Sequence, residues 1–118
     1  MFITKFLHIH NQAKIYHWQT KSYAEHQAMG GFYDKFGEQI DEFVEAYFGR
    51  NGVRRATKTF DLELKNYEGK ASTELMNDGI QFVNTELESV IEGDTDLQNL
   101  RDEMLALMNH TKYLLTLS

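Results

Sequence analysis

The chain contains no cysteine, which excludes disulfides and thiolate metal sites. It contains no proline either. Nothing therefore removes a backbone donor from a helix interior, and an all-α architecture is the first expectation. No run of about 18 apolar residues is present, so no transmembrane helix is expected. The opening Met1-Phe2-Ile3-Thr4-Lys5 lacks the long apolar centre of a secretory leader. These absences lead to the expectation of a cytoplasmic protein. A basic excess is missing as well: 12 lysines and arginines oppose 18 aspartates and glutamates, for a net charge of −6. That is the wrong sign for a general nucleic-acid binder. There is no glycine-rich phosphate loop. What remains, over 118 residues, is the size of one domain, residues 1–118, with one modest core.

Hydrophobic periodicity divides the chain into four helices. Phe2, Phe6, Ile9, Ala13 and Tyr16 recur at steps of four and three, marking a first helix from Phe2 to Thr20. Ser22-Tyr23-Ala24-Glu25 has the form of a capping box and opens a second helix. Its stripe is Met29, Tyr33, Phe36, Ile40, Phe43 and Tyr47, and Gly49 and Gly52 end it. A third helix is expected from Ser72 to Ile91, along Met76, Ile80, Val83, Leu87 and Val90. A fourth is expected from Asp96 to Leu117, along Leu97, Leu100, Met104, Leu107, Thr111 and Leu114, with Thr95 and Gln98 as a second capping box. Between the second and third helices, Phe60-Asp61-Leu62-Glu63-Leu64-Lys65 alternates apolar and polar. That period of two suits an extended arm or short strand. A connection of this length is a crossover that lets the two helices run parallel. A lone strand is marginal, so the arm needs a partner, a copy of itself in another subunit being one choice. The basic residues Arg50, Arg54, Arg55 and Lys58 fall in the same connection and read as a solvated loop.

The residues that carry chemistry are His17, His26, Asp41 and Glu45. Imidazole with carboxylate is the donor mix that borderline divalent metals prefer. Asp41 and Glu45 lie one helical turn apart and can converge on one ion. With the middle of the second helix's core stripe at zero, Asp41, Asp34 and Glu45 fall at roughly 120°, 140° and 160°, pointing away from their own core. His26 falls at roughly 60°, and Gly30 and Gly37 at about 100° and 80°. Two glycines on one helix flank cost about 1 kcal/mol each against alanine, so a close neighbour should compensate. A second subunit packed along Gly30 and Gly37 is one such neighbour, and a bulky group of the same chain is the other. In a two-fold homodimer, His26 of one copy would approach Asp41 and Glu45 of its mate. His10 lies beside the core stripe seven residues before His17, His8 points to solvent, and Trp18 is expected to be partly buried at a helix edge. No Glu-x-x-His motif occurs, which argues against a two-iron centre inside one subunit of a ferritin-like bundle.

The segment Tyr16-His17-Trp18-Gln19-Thr20-Lys21, then His26, then Asp41 and Glu45, resembles the Dps family of mini-ferritins. The resemblance implies a ferritin-like four-helix bundle. It also implies an iron site of ferroxidase type shared between subunits, with His17 and His26 from one chain and Asp41 and Glu45 from its two-fold mate. Asp34 or Glu38 would serve as nearby carboxylates. The chain departs from that family at four places, the first being a shorter stretch between His17 and His26. A further aspartate one turn after the second histidine is replaced by Gly30, the short helix of the central connection by the extended arm, and the lysine-rich tail is absent. One firm metal position and a weaker second are the expectation. The wording from Gln19 to His26 and Phe43-Val44-Glu45-Ala46-Tyr47 is similar to small proteins of tailed phages that have no established activity. A phage-encoded protein would act in the host cytoplasm.

Two functions fit these residues. One is a Dps-like protein that binds iron or another divalent metal and assembles as a homodimer or larger homo-oligomer. The other is a metal-free structural or interaction module that keeps the bundle without the chemistry, its arm at 57–66 mediating assembly.

Overall fold

Four long helices and one short one form in the computed structural model, which describes residues 1–118, and no strand is present. They are α1 (Phe2–Gln19), α2 (Tyr23–Asn51), α3 (Ala71–Asn84), α4 (Glu88–Ile91) and α5 (Thr95–Leu115). The expected all-α bundle is present. None of these helices is long and apolar enough to cross a membrane.

The turn between α1 and α2 is set locally. Ser22 Oγ accepts from the Glu25 backbone N–H at 3.2 Å, and Ser22 N donates to Thr20 Oγ1 at 3.2 Å. The reciprocal half of the capping box does not form. The Glu25 carboxylate is buried and accepts instead from Tyr67 Oη and Ser72 Oγ, each at 3.1 Å. Burial and this carboxylate push the Tyr67 hydroxyl pKa up, which keeps it a proton donor. Glu25 thus joins the start of α2 to the start of α3. At the other end Gly52 closes α2 in the left-handed conformation, at φ 69°. At about 1.5 Å per residue, α2 spans about 43 Å, and the molecule's longest extent is 44 Å. So α2 runs the length of the molecule. Its last turn meets the start of α5, where Arg50 Nη2 lies 2.6 Å from Asp96 and Nη1 lies 3.4 Å from Asp94.

α1 packs against α2 and α3, and α5 packs against the same two. Phenylalanines fill the space between them. Phe6 meets Phe36, Phe43 and Phe82 edge to face, with centroids 6.1, 5.3 and 5.7 Å apart. Such pairs contribute about 0.5–1.5 kcal/mol beyond the area they bury. The buried face of α2 is rotated slightly from the expected stripe. Ala28, Phe32 and Gln39 are inside, while Tyr33 and Tyr47 are only half-buried. On α3, Leu75, Gly79 and Phe82 join Met76 and Val83 in the core, and Gly79 leaves room for Met108, whose Cε lies 3.0 Å from where a Cβ would stand.

Two local expectations are corrected, and a third, the extended arm, holds with a partner inside the chain. First, the helix expected from Ser72 to Ile91 breaks at 85–87. Thr85 Oγ1 donates to Gln81 O at 2.7 Å, and Leu87 N donates to Phe82 O at 3.0 Å, five residues back. The widened turn carries both Leu87 and Ile91 into the core. Second, Thr95 and Gln98 form no capping box. Asp94 is the N-cap and makes no side-chain cap bond, its carboxylate being turned to Arg50. Third, residues 60–65 are extended but belong to no strand pair. Their partner is α1 of the same chain. The buried Gln12 side chain donates to Lys65 O at 2.7 Å and accepts from Lys65 N at 2.8 Å. His8 Nε2 donates to Glu63 O at 3.2 Å, and Gln19 Oε1 accepts from Tyr67 N at 2.7 Å. Glutamine amides thus supply what a neighbouring strand would.

Candidate functional site

His17 and His26 come together across the α1–α2 hairpin. Their rings stack with centroids 3.9 Å apart and planes 15° off parallel. His17 Nδ1 donates to His26 O at 2.7 Å, and His26 Nδ1 donates to His17 O at 2.8 Å. A carbonyl oxygen only accepts, so each Nδ1 carries the proton and, in the neutral ring, each Nε2 is left as a lone pair. Neither Nε2 has a partner in the chain. The only buried side-chain polar atom without one is Gln39 Oε1, so both Nε2 atoms reach solvent.

The glycine flank of α2 explains how the rings fit. A Cβ at Gly30 would stand 2.9 Å from His17 Cε1 and 3.0 Å from its Nδ1. A Cβ at Gly37 would stand 3.1 Å from His10 Nε2, which donates to Tyr33 O at 2.9 Å. Two histidines seven residues apart on α1 therefore lie over two glycines seven apart on α2. The close neighbour required by the glycines is α1 of the same chain, and these residues do not by themselves call for a second subunit. Tyr33 lines the site, its ring 5.3 Å from His17 with Lys14 Nζ 5.5 Å above it. Tyr23 and Trp18 stand at the hairpin end. They are 75% and 66% exposed, so the expected partial burial of Trp18 is corrected. Trp18 is near the end of α1, where no other helix covers it.

Asp41 and Glu45 are exposed on α2, as their angles required, together with Asp34 and Glu38. Within one chain they are remote from the imidazoles. They follow His26 along the same helix, so Asp41 is about 22 Å and Glu45 about 28 Å away by the helical rise. No three histidine, aspartate or glutamate side chains of the single chain converge as a metal site. One chain thus presents the nitrogen pair at one place and the carboxylate pair at another. Arg54, Arg55 and Lys58 are exposed and free of ion pairs, whereas Arg50 is held by Asp94 and Asp96. The Arg50 hydrogen bond holds the Asp96 carboxyl below its ordinary pKa.

Sequence reading passed over the side chains that hold the arm, Gln12 and Gln19, and gave Glu25 only its capping role. Gln12 did carry a signal, being a polar residue at a core-facing position of α1. No curated protein and no solved structure matches the chain. Residues 17–115 match the model of a family of unknown function, DUF5856, a span that takes in both histidines, both carboxylates and all helices but most of α1. The chain belongs to the DUF5856 family.

Proposed function

We propose that this protein is a Dps-like, ferritin-like metal-binding protein whose site is completed between two copies, His17 and His26 of one facing Asp41 and Glu45 of the other. The observation that carries the reading is the tautomer lock. Metal-ligating histidines characteristically donate their second ring nitrogen to a carbonyl or carboxylate, which orients the ring and raises its basicity. Here both rings are held in that way, with both free nitrogens at the surface. Two imidazoles and two carboxylates make a donor set suited to iron or another divalent metal. When bound, iron would supply one-electron chemistry toward dioxygen. The chain's own part is to fix the nitrogens through the His17 and His26 carbonyls, and to present the carboxylates one turn apart on the exposed face of α2. Helix order supports a ferritin-like arrangement: α3 starts beside the start of α2, α5 starts beside its end, and the connection from 52 to 70 passes along α1. That is the pattern of a crossover between parallel second and third helices.

The test is anaerobic titration with ferrous iron, followed by the emission of Trp18, the only tryptophan, which adjoins His17. Saturable quenching is expected, with loss of the response in His26→Ala and in Asp41→Ala. The Asp41 variant reports the contribution of the second copy, because that carboxylate is far from Trp18 in its own chain. Unchanged emission up to millimolar iron would overturn the reading.

One observation favours a second reading. Both Nδ1 bonds run between α1 and α2, so the histidine pair is also a clasp across the hairpin. In a metal-free structural module that would be its whole purpose. His26→Ala would then lower the unfolding midpoint while iron, zinc and cobalt left the wild-type midpoint unmoved.

A further inference from the structure

We infer that the outer edge of the arm, residues 62–66, is a pairing surface for the same segment of a second copy of this chain, joined antiparallel about a two-fold axis at Leu64. In an extended chain, alternate residues direct their backbone groups to opposite edges. On the inner edge, the groups of Glu63, Lys65 and Tyr67 bond to His8, Gln12 and Gln19 of α1. The backbone groups of Leu62, Leu64 and Asn66 on the outer edge take part in no hydrogen bond within the chain. This is half of a ladder, held rigid from behind and open in front.

The side chains specify the occupant. With Leu64 opposite Leu64 of the second copy, Leu62 stands opposite Asn66, and these are the positions whose backbone groups face outward. Glu63 then falls opposite Lys65 of the second copy, and Lys65 opposite Glu63, an opposite-charge pair made twice by symmetry. Shifting the axis to Glu63 would place two carboxylates face to face, so charge selects the register. On the other face, Leu62 and Leu64 of both copies form one apolar patch. Leu64 is 40% exposed in the single chain and Phe60, at the same edge, 47%. The arm lies on the flank of α1 opposite to His10 and His17, so pairing there leaves the histidine clasp uncovered. It is a separate interface from the one that the metal reading requires.

The experiment is the mass of the full chain in solution across a concentration series without metal. Wild type is expected to approach twice the 13.8 kDa of one chain. Lys65→Glu should raise the apparent dissociation constant roughly ten- to thirty-fold by turning both charge pairs repulsive. The double exchange of Glu63→Lys with Lys65→Glu should restore dimerisation. Leu64→Pro removes the N–H at the axis, spares the bonds to α1, and should give monomer with unchanged helicity. Monomeric wild type at hundreds of micromolar, or a dimer indifferent to Lys65→Glu and Leu64→Pro, would overturn the inference. His26→Ala and Asp41→Ala should leave this mass unchanged, so failure of the metal site and failure of the arm are read separately.

Discussion

Gly30 and Gly31 are neighbours on α2 with opposite surroundings. A Cβ at Gly30 would strike the His17 ring at 2.9 Å, whereas a Cβ at Gly31 would meet nothing within 4 Å. Gly31→Ala should therefore stabilise the protein by about 1 kcal/mol, the ordinary helical gain of alanine over glycine. Gly30→Ala must expel the imidazole and break its hydrogen bond to His26 O, a net loss of about 1–3 kcal/mol. Urea unfolding of the two variants measures the contrast, and equal midpoints would refute the assignment of Gly30 to His17. The angular position of Gly30 was legible in the sequence, as was the outward direction of Asp41 and Glu45. What fills the space beside a glycine was not. A helical wheel gives directions within one helix and carries no information on which helix lies there. The reciprocal bonds of His17 and His26 were hidden for the same reason, since each acceptor is a backbone carbonyl and any residue would supply one.

At the scale of elements, both ends of α2 followed their local signals, a hydroxyl at one and a left-handed glycine at the other. Ser22 and Gly52 cap as expected. The expected extent of the third helix failed because continuous apolar spacing across Val83, Leu87 and Val90 does not distinguish a regular turn from a widened one. The departure lies at Leu87, whose N–H reaches back five residues to Phe82 O. The arm shows the same division. Its extension was readable from alternation, but its partnership with the amides of Gln12 and Gln19 was not, because glutamine in a helix has no fixed target. His8 makes this contact depend on pH. Burial, with Lys5 and Lys65 nearby, holds its pKa below the ordinary 6.5. The folded chain thus resists a proton that the unfolded chain accepts. The contribution of His8 to stability is complete above pH about 6.5 and is lost as pH falls below that value toward the folded pKa. His8→Gln keeps a donor for Glu63 O and removes the titration. Thermal midpoints between pH 7 and pH 5 should fall less steeply in that variant than in wild type. Parallel slopes would show that His8 is as free to protonate in the folded chain as in the unfolded one.

Across the whole molecule, charge is unevenly placed. Residues 50–60 contain Arg50, Arg54, Arg55 and Lys58 and no acidic residue, so every carboxylate side chain of this acidic protein lies elsewhere. Within that stretch only Arg50 is paired, and the residues from Gly52 to Arg55 are exposed and outside any helix. The α1–α2 hairpin and the α3–α5 pair meet through the phenylalanine core, the Glu25 contacts and the Arg50 ion pairs. The peptide bonds at 54–58 take no part in that contact. Trypsin should therefore cut first after Arg54, Arg55 or Lys58. The two fragments should separate on a denaturing gel yet elute together, with full helicity, under native conditions. Dissociation of the fragments at the first cut would show that the chain is needed to hold the halves in place. If they hold, the loop is a splice point: a fluorophore, an affinity tag or a whole guest domain inserted after Arg55 would be carried outside the bundle, at a loop-closure cost that grows only logarithmically with its length.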